Sequence, residues 1–206
     1  MIRFTQGLAT AVRRLSLQLA VLSSCVMLAL PAGATEGDAE AGKAKSATCM
    51  ACHGPDGNSV VAMWPSIAGQ HANYIEDTLK AFKSGERSDP VMSAQAMPLN
   101  DQDIADLAAY YSQQTGAKRT ANPDLVSKGE RIYRGGNKET SVSACIACHG
   151  PTGRGNAPAG YPSLMGQHAT YTEKQLNDYK NNVRKTDGDE RVMRSIAERL
   201  TSDEIK

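Results

Sequence analysis

Apolar residues recur along this chain at helical spacing, and only the opening segment holds a long, mostly apolar run. In "NDQDIADLAAYYSQQTG" (100–116), Ile104, Leu107, Ala108 and Tyr111 fall at i, i+3, i+4 and i+7, which is one face of a helix. Asn100 or Asp101 is placed to cap its start and Gly116 to cap its end. "HANYIEDTLKAFKSG" (71–85) sets Ile75, Thr78, Leu79 and Phe82 on one face and stops at Gly85. "PDLVSKGERIYRGG" (123–136) starts at an Asp124 cap and stops at Gly135-Gly136. No stretch sustains the alternation of a half-buried strand. The pattern predicts an all-α protein whose short helices, three to five per unit, are joined by Gly/Pro-rich loops.

The opening run has another purpose. Residues 1–34 hold Arg3, Arg13 and Arg14, no acidic residue, and an apolar stretch from Leu15 to Leu30. The stretch ends in "PAGA", with Ala32 and Ala34 as the small residues of a cleavage site, and the first acid is Glu36. This is the layout of a secretory signal peptide, cut after Ala34. The stretch is shorter than the ~20 residues that span a bilayer. "LSSC" (22–25) loosely resembles a lipoprotein signal on Cys25, but the apolar run continues past it. Arg13-Arg14 lacks the flanking residues of a folded-protein export signal, so general secretion of an unfolded chain is expected.

Past that segment the chain says one thing twice. "TCMACHGPDG" (48–57) returns as "ACIACHGPTG" (144–153), at an offset of 96. "WPSIAGQHANY" (64–74) meets "YPSLMGQHATY" (161–171) at 97, and "VMSAQAMPLNDQDI" (91–104) meets "VMRSIAERLTSDEI" (192–205) at 101. Small insertions in loops absorb the drift. Two copies are too few for a solenoid; two tandem domains, 35–117 and 123–206, fit, with the linker 118–122 inside the loop-like "TGAKRTANPD" (115–124).

Composition sharpens the chemistry. Five cysteines occur, and Cys25 leaves with the signal. The remaining Cys49, Cys52, Cys145 and Cys148 form the two repeated pairs, and an oxidising compartment demands a fate for all four. Charge is nearly balanced, 23 basic against 22 acidic residues, with no basic stripe for nucleic acid. Aromatic content is only 5%, thin for domains that must each fill a core.

Cys49-Met-Ala-Cys52-His53 and Cys145-Ile-Ala-Cys148-His149 are both C-x-x-C-H, the attachment signature of c-type haem. Thiols three positions apart project from adjoining points of a helical turn and can bond the two vinyl groups of one haem. The next residue, His53 or His149, then lies beneath the ring centre as an iron ligand. A thioredoxin-like redox pair would expect a βαβ context, which is not visible. A zinc site sharing one pair from each half leaves a complete C-x-x-C-H in each copy unexplained. Two covalent haem c groups are expected.

For the other side of each iron two residue types compete. His71 and His168, in the repeated "GQH", would give bis-histidine sites. Met92 and Met193 are the only methionines beyond residue 34 that recur, each seven residues before a Leu (Leu99, Leu200) and then a helix cap. Recurrence favours the methionines, with His71 and His168 capping or orienting the helices they begin. Gly54-Pro55 and Gly150-Pro151 turn the chain away after the haem histidine. Pro65 and Pro162 lie where a backbone carbonyl can orient the proximal imidazole. Tyr74 and Tyr171 open matching helices, to pack in the core, pack on porphyrin or bond a propionate.

Taken together, "GDAEAGKAKSATCMACHGPDGNS", "PSIAGQHANY", "MPLNDQDIADLAAYY", "GERIYRGG" and "MRSIAERLTSDEI" make the chain similar to the dihaem cytochrome c4 family. The resemblance implies two cytochrome-c-like domains about a pseudo-twofold axis, with propionates near the interface. It implies His53 with Met92 on one iron and His149 with Met193 on the other. It further implies electron transfer in the periplasm, free or at the membrane surface, from a quinol-oxidising cytochrome bc complex toward a haem-copper terminal oxidase. The first copy continues past "DQDI" through a full helix, whereas the second stops at Ile205-Lys206. The family packs that last helix on its first, so either the chain is a fragment or the second domain is less completely closed.

With both axial positions filled, neither iron is open to substrate, and an electron carrier rather than an enzyme is the first expectation. A dihaem subunit of a dehydrogenase, such as a flavocytochrome that oxidises sulfide, is the second. A dihaem peroxidase is the third and needs one open iron.

Overall fold

A computed structural model describes residues 36–206. The expected signal segment, with Cys25, lies outside them. Helices account for the regular structure, and the strand-like pairing among the described residues is limited to the isolated bridges Asn137–Val142 and Asn156–Tyr161.

The first half holds α1 (Ala39–Lys45), α2 (Ala47–His53), α3 (Ala72–Ser84), α4 (Pro90–Ala96) and α5 (Asp101–Ser112). Its frame is the crossing of α1 and α5. Gly42 is buried there, and a methyl group in its place would overlap the backbone carbonyl of Asp106. Asp106, 2% exposed, closes the crossing from the other side. Its carboxylate accepts from the Asp38 N–H at 2.8 Å, from Gln102 at 2.8 Å and from Lys45 at 2.6 Å. The predicted face of α5 is buried as expected, and its Leu107, Ala108 and Tyr111 join Tyr110 and Ile75 in the core cluster. Asn100 is the N-cap, in a reciprocal capping box with Asp103. The helix ends one turn earlier than the sequence suggests, at Gln113, so Gly116 is not its cap.

The second half holds α6 (Pro123–Gly135), α7 (Ile146–His149), a 3-10 turn (Ala157–Ala159), α8 (Ala169–Lys180), α9 (Val192–Ala197) and α10 (Ser202–Ile205). Asn122, not Asp124, caps α6, because Pro123 takes the first helical position and Asn122 accepts from the Asp124 N–H. No residue of α6 is buried. Its counterpart α1 lies against the twelve-residue α5, whereas α6 meets the single turn of α10. Two hydrogen bonds help to hold α6: Lys128 donates to the Asp203 carbonyl at 2.5 Å and Tyr133 to the Gly150 carbonyl at 2.5 Å. The core of this half is small, Val142, Leu200 and Ile205 with Ile132, Leu176 and Ile196 against them.

The segment between α5 and α6 has no regular structure, yet it is tied down. Asn58 donates to the Thr115 carbonyl and accepts from the Ala117 N–H. Arg119 donates to the carbonyls of Ser59 and Gly166 and to the Ser66 hydroxyl, touching both halves.

Candidate functional site

Both C-x-x-C-H segments are helical, as the spacing predicts: Cys49, Cys52 and His53 lie in α2, while Cys148 and His149 lie in α7 behind its N-cap Cys145. None of the four cysteines is in a disulfide, and all are half-buried. Burial pushes the Cys49 and Cys145 thiols up from their ordinary values. Each helix stops immediately after its histidine, at Gly54 (φ +84°) and Gly150 (φ +77°), whose left-handed backbone favours glycine. The Gly-Pro turns therefore do what the sequence suggests.

The two histidines are 7% exposed and are held alike. Nδ1 of His53 lies 2.8 Å from the Pro65 carbonyl, and Nδ1 of His149 lies 2.9 Å from the Pro162 carbonyl. A carbonyl only accepts, so Nδ1 carries the proton and Nε2 keeps its lone pair for a metal. Burial lowers the proton affinity of both rings, which favours the neutral, ligating form. Both expected proline contacts are present.

Met92 and Met193 lie on corresponding short helices that start differently and are framed alike beyond their ends. Met92 lies on α4, where Asp89 caps the helix and accepts from the Met92 N–H at 2.9 Å. Met193 lies on α9, and both side chains are half-buried. The chain beyond each helix is fixed by one lysine from the preceding long helix. Lys83 of α3 donates to the Leu99 carbonyl, and Lys180 of α8 donates to the Leu200 carbonyl. Each leucine leads into a capping box, Asn100/Asp103 or Thr201/Glu204.

His71 and His168 stand at the N-cap positions of α3 and α8, but neither side chain caps its helix. The backbone N–H of each bonds the side-chain carbonyl of the preceding glutamine instead. The His168 ring reaches the Ser59 carbonyl of the other half, Nε2 to O 2.9 Å. This nitrogen therefore donates to a backbone group, a use that competes with iron ligation.

The sequence reading missed a pair of buried arginines. Arg87 and Arg184 are 8% and 6% exposed. Arg87 donates to the Tyr171 hydroxyl at 3.0 Å and to Gln175 at 2.7 Å; Arg184 donates to the Tyr74 hydroxyl at 2.8 Å and to Gln175 at 2.9 Å. The tyrosines thus bond arginines of the opposite half. The signal was present, because Arg87 and Arg184 stand at the offset of 97 that relates the repeat preceding them.

These arginines also test the fit of the expected group. Among the described residues, neither is ion-paired to a carboxylate. A buried charge without a counter-ion costs several kcal/mol, so two such cations with only neutral partners call for anions from outside the chain. The carboxylate arms of a haem meet that need, and free paired thiols with a neutral, oriented imidazole meet the rest. The residues fit covalent haem in each half.

Comparison with known proteins agrees. The cytochrome c family model matches residues 39–115 and again 126–206. The chain is 46% identical to cytochrome c4 of Pseudomonas aeruginosa over 169 residues, covering 82% of this chain and 84% of that one. It superimposes on the crystal structure of reduced recombinant cytochrome c4 from Pseudomonas stutzeri with a TM-score of 0.80 and 44% identity, covering 82% and 94% of the two chains. It is 36% identical to the thiosulfate dehydrogenase electron acceptor of Thiomonas intermedia, covering 76% and 73%.

Proposed function

The chain belongs to the cytochrome c4 family, two-domain electron-transfer proteins with two covalent haem c groups, and we propose that it works in the periplasm between respiratory complexes. Its donor on this reading is a quinol-oxidising cytochrome bc complex and its acceptor a haem-copper terminal oxidase. The bound haems supply one-electron iron redox chemistry. The chain supplies the rest. Cys49 and Cys52 hold one haem, and Cys145 and Cys148 hold the other. His53 and Met92 ligate the first iron, His149 and Met193 the second, within domains 35–117 and 123–206 joined by 118–122.

One observation carries this reading: the histidine–proline contact is built twice, at 2.8 and 2.9 Å, so both halves present an equivalently oriented ligand. Two like sites would suit relay from one domain to the other, whereas a peroxidase needs one open iron. A signal peptide over 1–34 supports export, and among the described residues no helix is long and apolar enough to cross a membrane.

A second reading has its own support. The likeness to a thiosulfate dehydrogenase electron acceptor favours a dedicated acceptor or haem subunit of a dehydrogenase, of which a sulfide-oxidising flavocytochrome is one form. Stopped-flow mixing separates the two. Rapid reduction by a cytochrome bc complex and rapid oxidation by a haem-copper oxidase support the respiratory carrier. Copurification with a flavin-containing chain, together with no turnover by the oxidase, supports the subunit.

A further inference from the structure

The glutamines of the two Gly-Gln-His segments each reach into the opposite half. Gln70 accepts from the Ser163 N–H at 2.9 Å and donates to the Ser163 carbonyl at 2.9 Å. Gln167 does the same to Ser66, again at 2.9 Å in both bonds. Each glutamine oxygen also accepts from the next backbone N–H, that of His71 or His168, at 3.0 Å. Gln70 is 9% exposed and Gln167 is half-buried, so neither contact is a surface fringe.

The partners of these bonds matter because of the covalent chain. The N–H of Ser163 and the carbonyl of Pro162 belong to one peptide group. That carbonyl accepts from Nδ1 of His149. In the other half, the Ser66 N–H and the Pro65 carbonyl share a peptide group, and that carbonyl accepts from Nδ1 of His53. One peptide therefore links a glutamine of one half to the haem histidine of the other, and the arrangement is made in both directions.

We infer that Gln70 and Gln167 are crossed positioning residues, each setting the donor strength of the histidine, and so the reduction potential of the haem, in the opposite domain. Donation by the peptide N–H makes its carbonyl a better acceptor, since hydrogen bonds in a chain polarise one another. The stronger acceptor draws the Nδ1 proton and leaves Nε2 a better donor to iron. A better donor favours the ferric state and lowers the potential. The link adds a tie from the other domain to a loop that its own domain already holds, through Ile67 to Gly57 in one half and Leu164 to Gly153 in the other. The inference rests on the reading of His53 and His149 as iron ligands.

The test uses the full holoprotein and the variants Gln70→Leu and Gln167→Leu. Two readouts are taken in each: the proton resonance of each histidine Nδ1–H in the ferrous state, and each haem's reduction followed through its own assigned haem-methyl signals. Gln70→Leu moves the His149 proton upfield and leaves that of His53 in place. It raises the ferrous-to-ferric ratio of the second haem about threefold at fixed potential, a modest loss suited to one polarising bond. Gln167→Leu gives the mirror result. Gln70→Glu keeps the accepting oxygen and strengthens it, and moves the His149 proton downfield. Shifts confined to the variant's own half, equal shifts in both halves, or no shift in either would each overturn the crossed assignment. Should the leucine variants lose a haem, the glutamate variant decides alone, its downfield shift at His149 supporting the inference and any other pattern rejecting it. The ligand reading has a separate check: His149→Ala retaining an unchanged low-spin ferric spectrum would sink that reading whatever the glutamines do.

Discussion

Arg184 donates to the hydroxyl of Tyr74, 110 residues earlier, at 2.8 Å, and the repeat doubles the contact through Arg87 and Tyr171 at 3.0 Å. Gln175 then accepts from both guanidiniums, which brings two buried cations to one side-chain oxygen. Such a pair repels itself unless anions lie nearby. The boundary between the halves is therefore built to receive negative charge, and its positive field favours added electrons.

Replacing Arg184 by Gln removes one of those charges while keeping a hydrogen-bonding side chain. The reduced form of a haem carries one more electron than the oxidised form, so losing a cation lowers its potential. The expected change is on the order of 1 kcal/mol in reduction free energy, read by spectroelectrochemical titration. Arg87→Gln acts in the same direction, and the double variant departs from additivity because both arginines share Gln175. Potentials unchanged in all three variants would contradict this account of the interface.

The α1–α5 crossing predicts a contrast between two glycines. Gly42→Ala forces a methyl group onto the Asp106 carbonyl and should cost about 1–3 kcal/mol, the usual penalty of overpacking. Gly129 sits inside α6 with no atom near a new Cβ. Gly129→Ala should stabilise by up to about 1 kcal/mol through helix propensity. Chemical denaturation of the holoprotein measures both; equal effects at the two positions would show that the crossing is not tight.

Asp106 gives a pH dependence whose sign is fixed. Its hydrogen bond to Lys45, with those from Asp38 and Gln102, lowers its pKa from 3.8 to about 2. A depressed carboxylate stabilises the fold fully above its unfolded value and loses that contribution as pH falls through the folded one. The first domain should thus lose stability between about pH 4 and pH 2. Asp106→Asn should be less stable at neutral pH and should lack that part of the slope, as followed by thermal melts across the range.

What could be read in the sequence was what the repeat and the helical period encode locally. The C-x-x-C-H pairs, the Gly-Pro turns, the proline carbonyls and the buried face of α5 all depend on residues close in the chain or repeated in register. Helix ends were less legible. Gly116 resembled a C-cap, but α5 closes at Gln113, and the loop beyond passes Asn58, whose contacts hold Thr115 and Ala117. The side chains of His71 and His168 were expected to serve their own helices, yet Gln70 and Gln167 take the adjoining backbone and free the His168 ring to reach Ser59. Contacts between the halves escaped the reading altogether. Nothing in "GQH" says that its glutamine binds the other copy, because that pairing exists only once the two domains are docked.

The central claim is that each iron is held by the histidine of its C-x-x-C-H segment on one side and by a repeated methionine on the other. The ferric absorption spectrum tests it most directly, through the weak long-wavelength band that reports sulfur bound to haem iron. The account predicts the band in the parent protein, a partial loss in each of Met92→Ala and Met193→Ala, and complete loss in the double variant. A band that survives undiminished in both single variants, or that is absent from the parent, would contradict it.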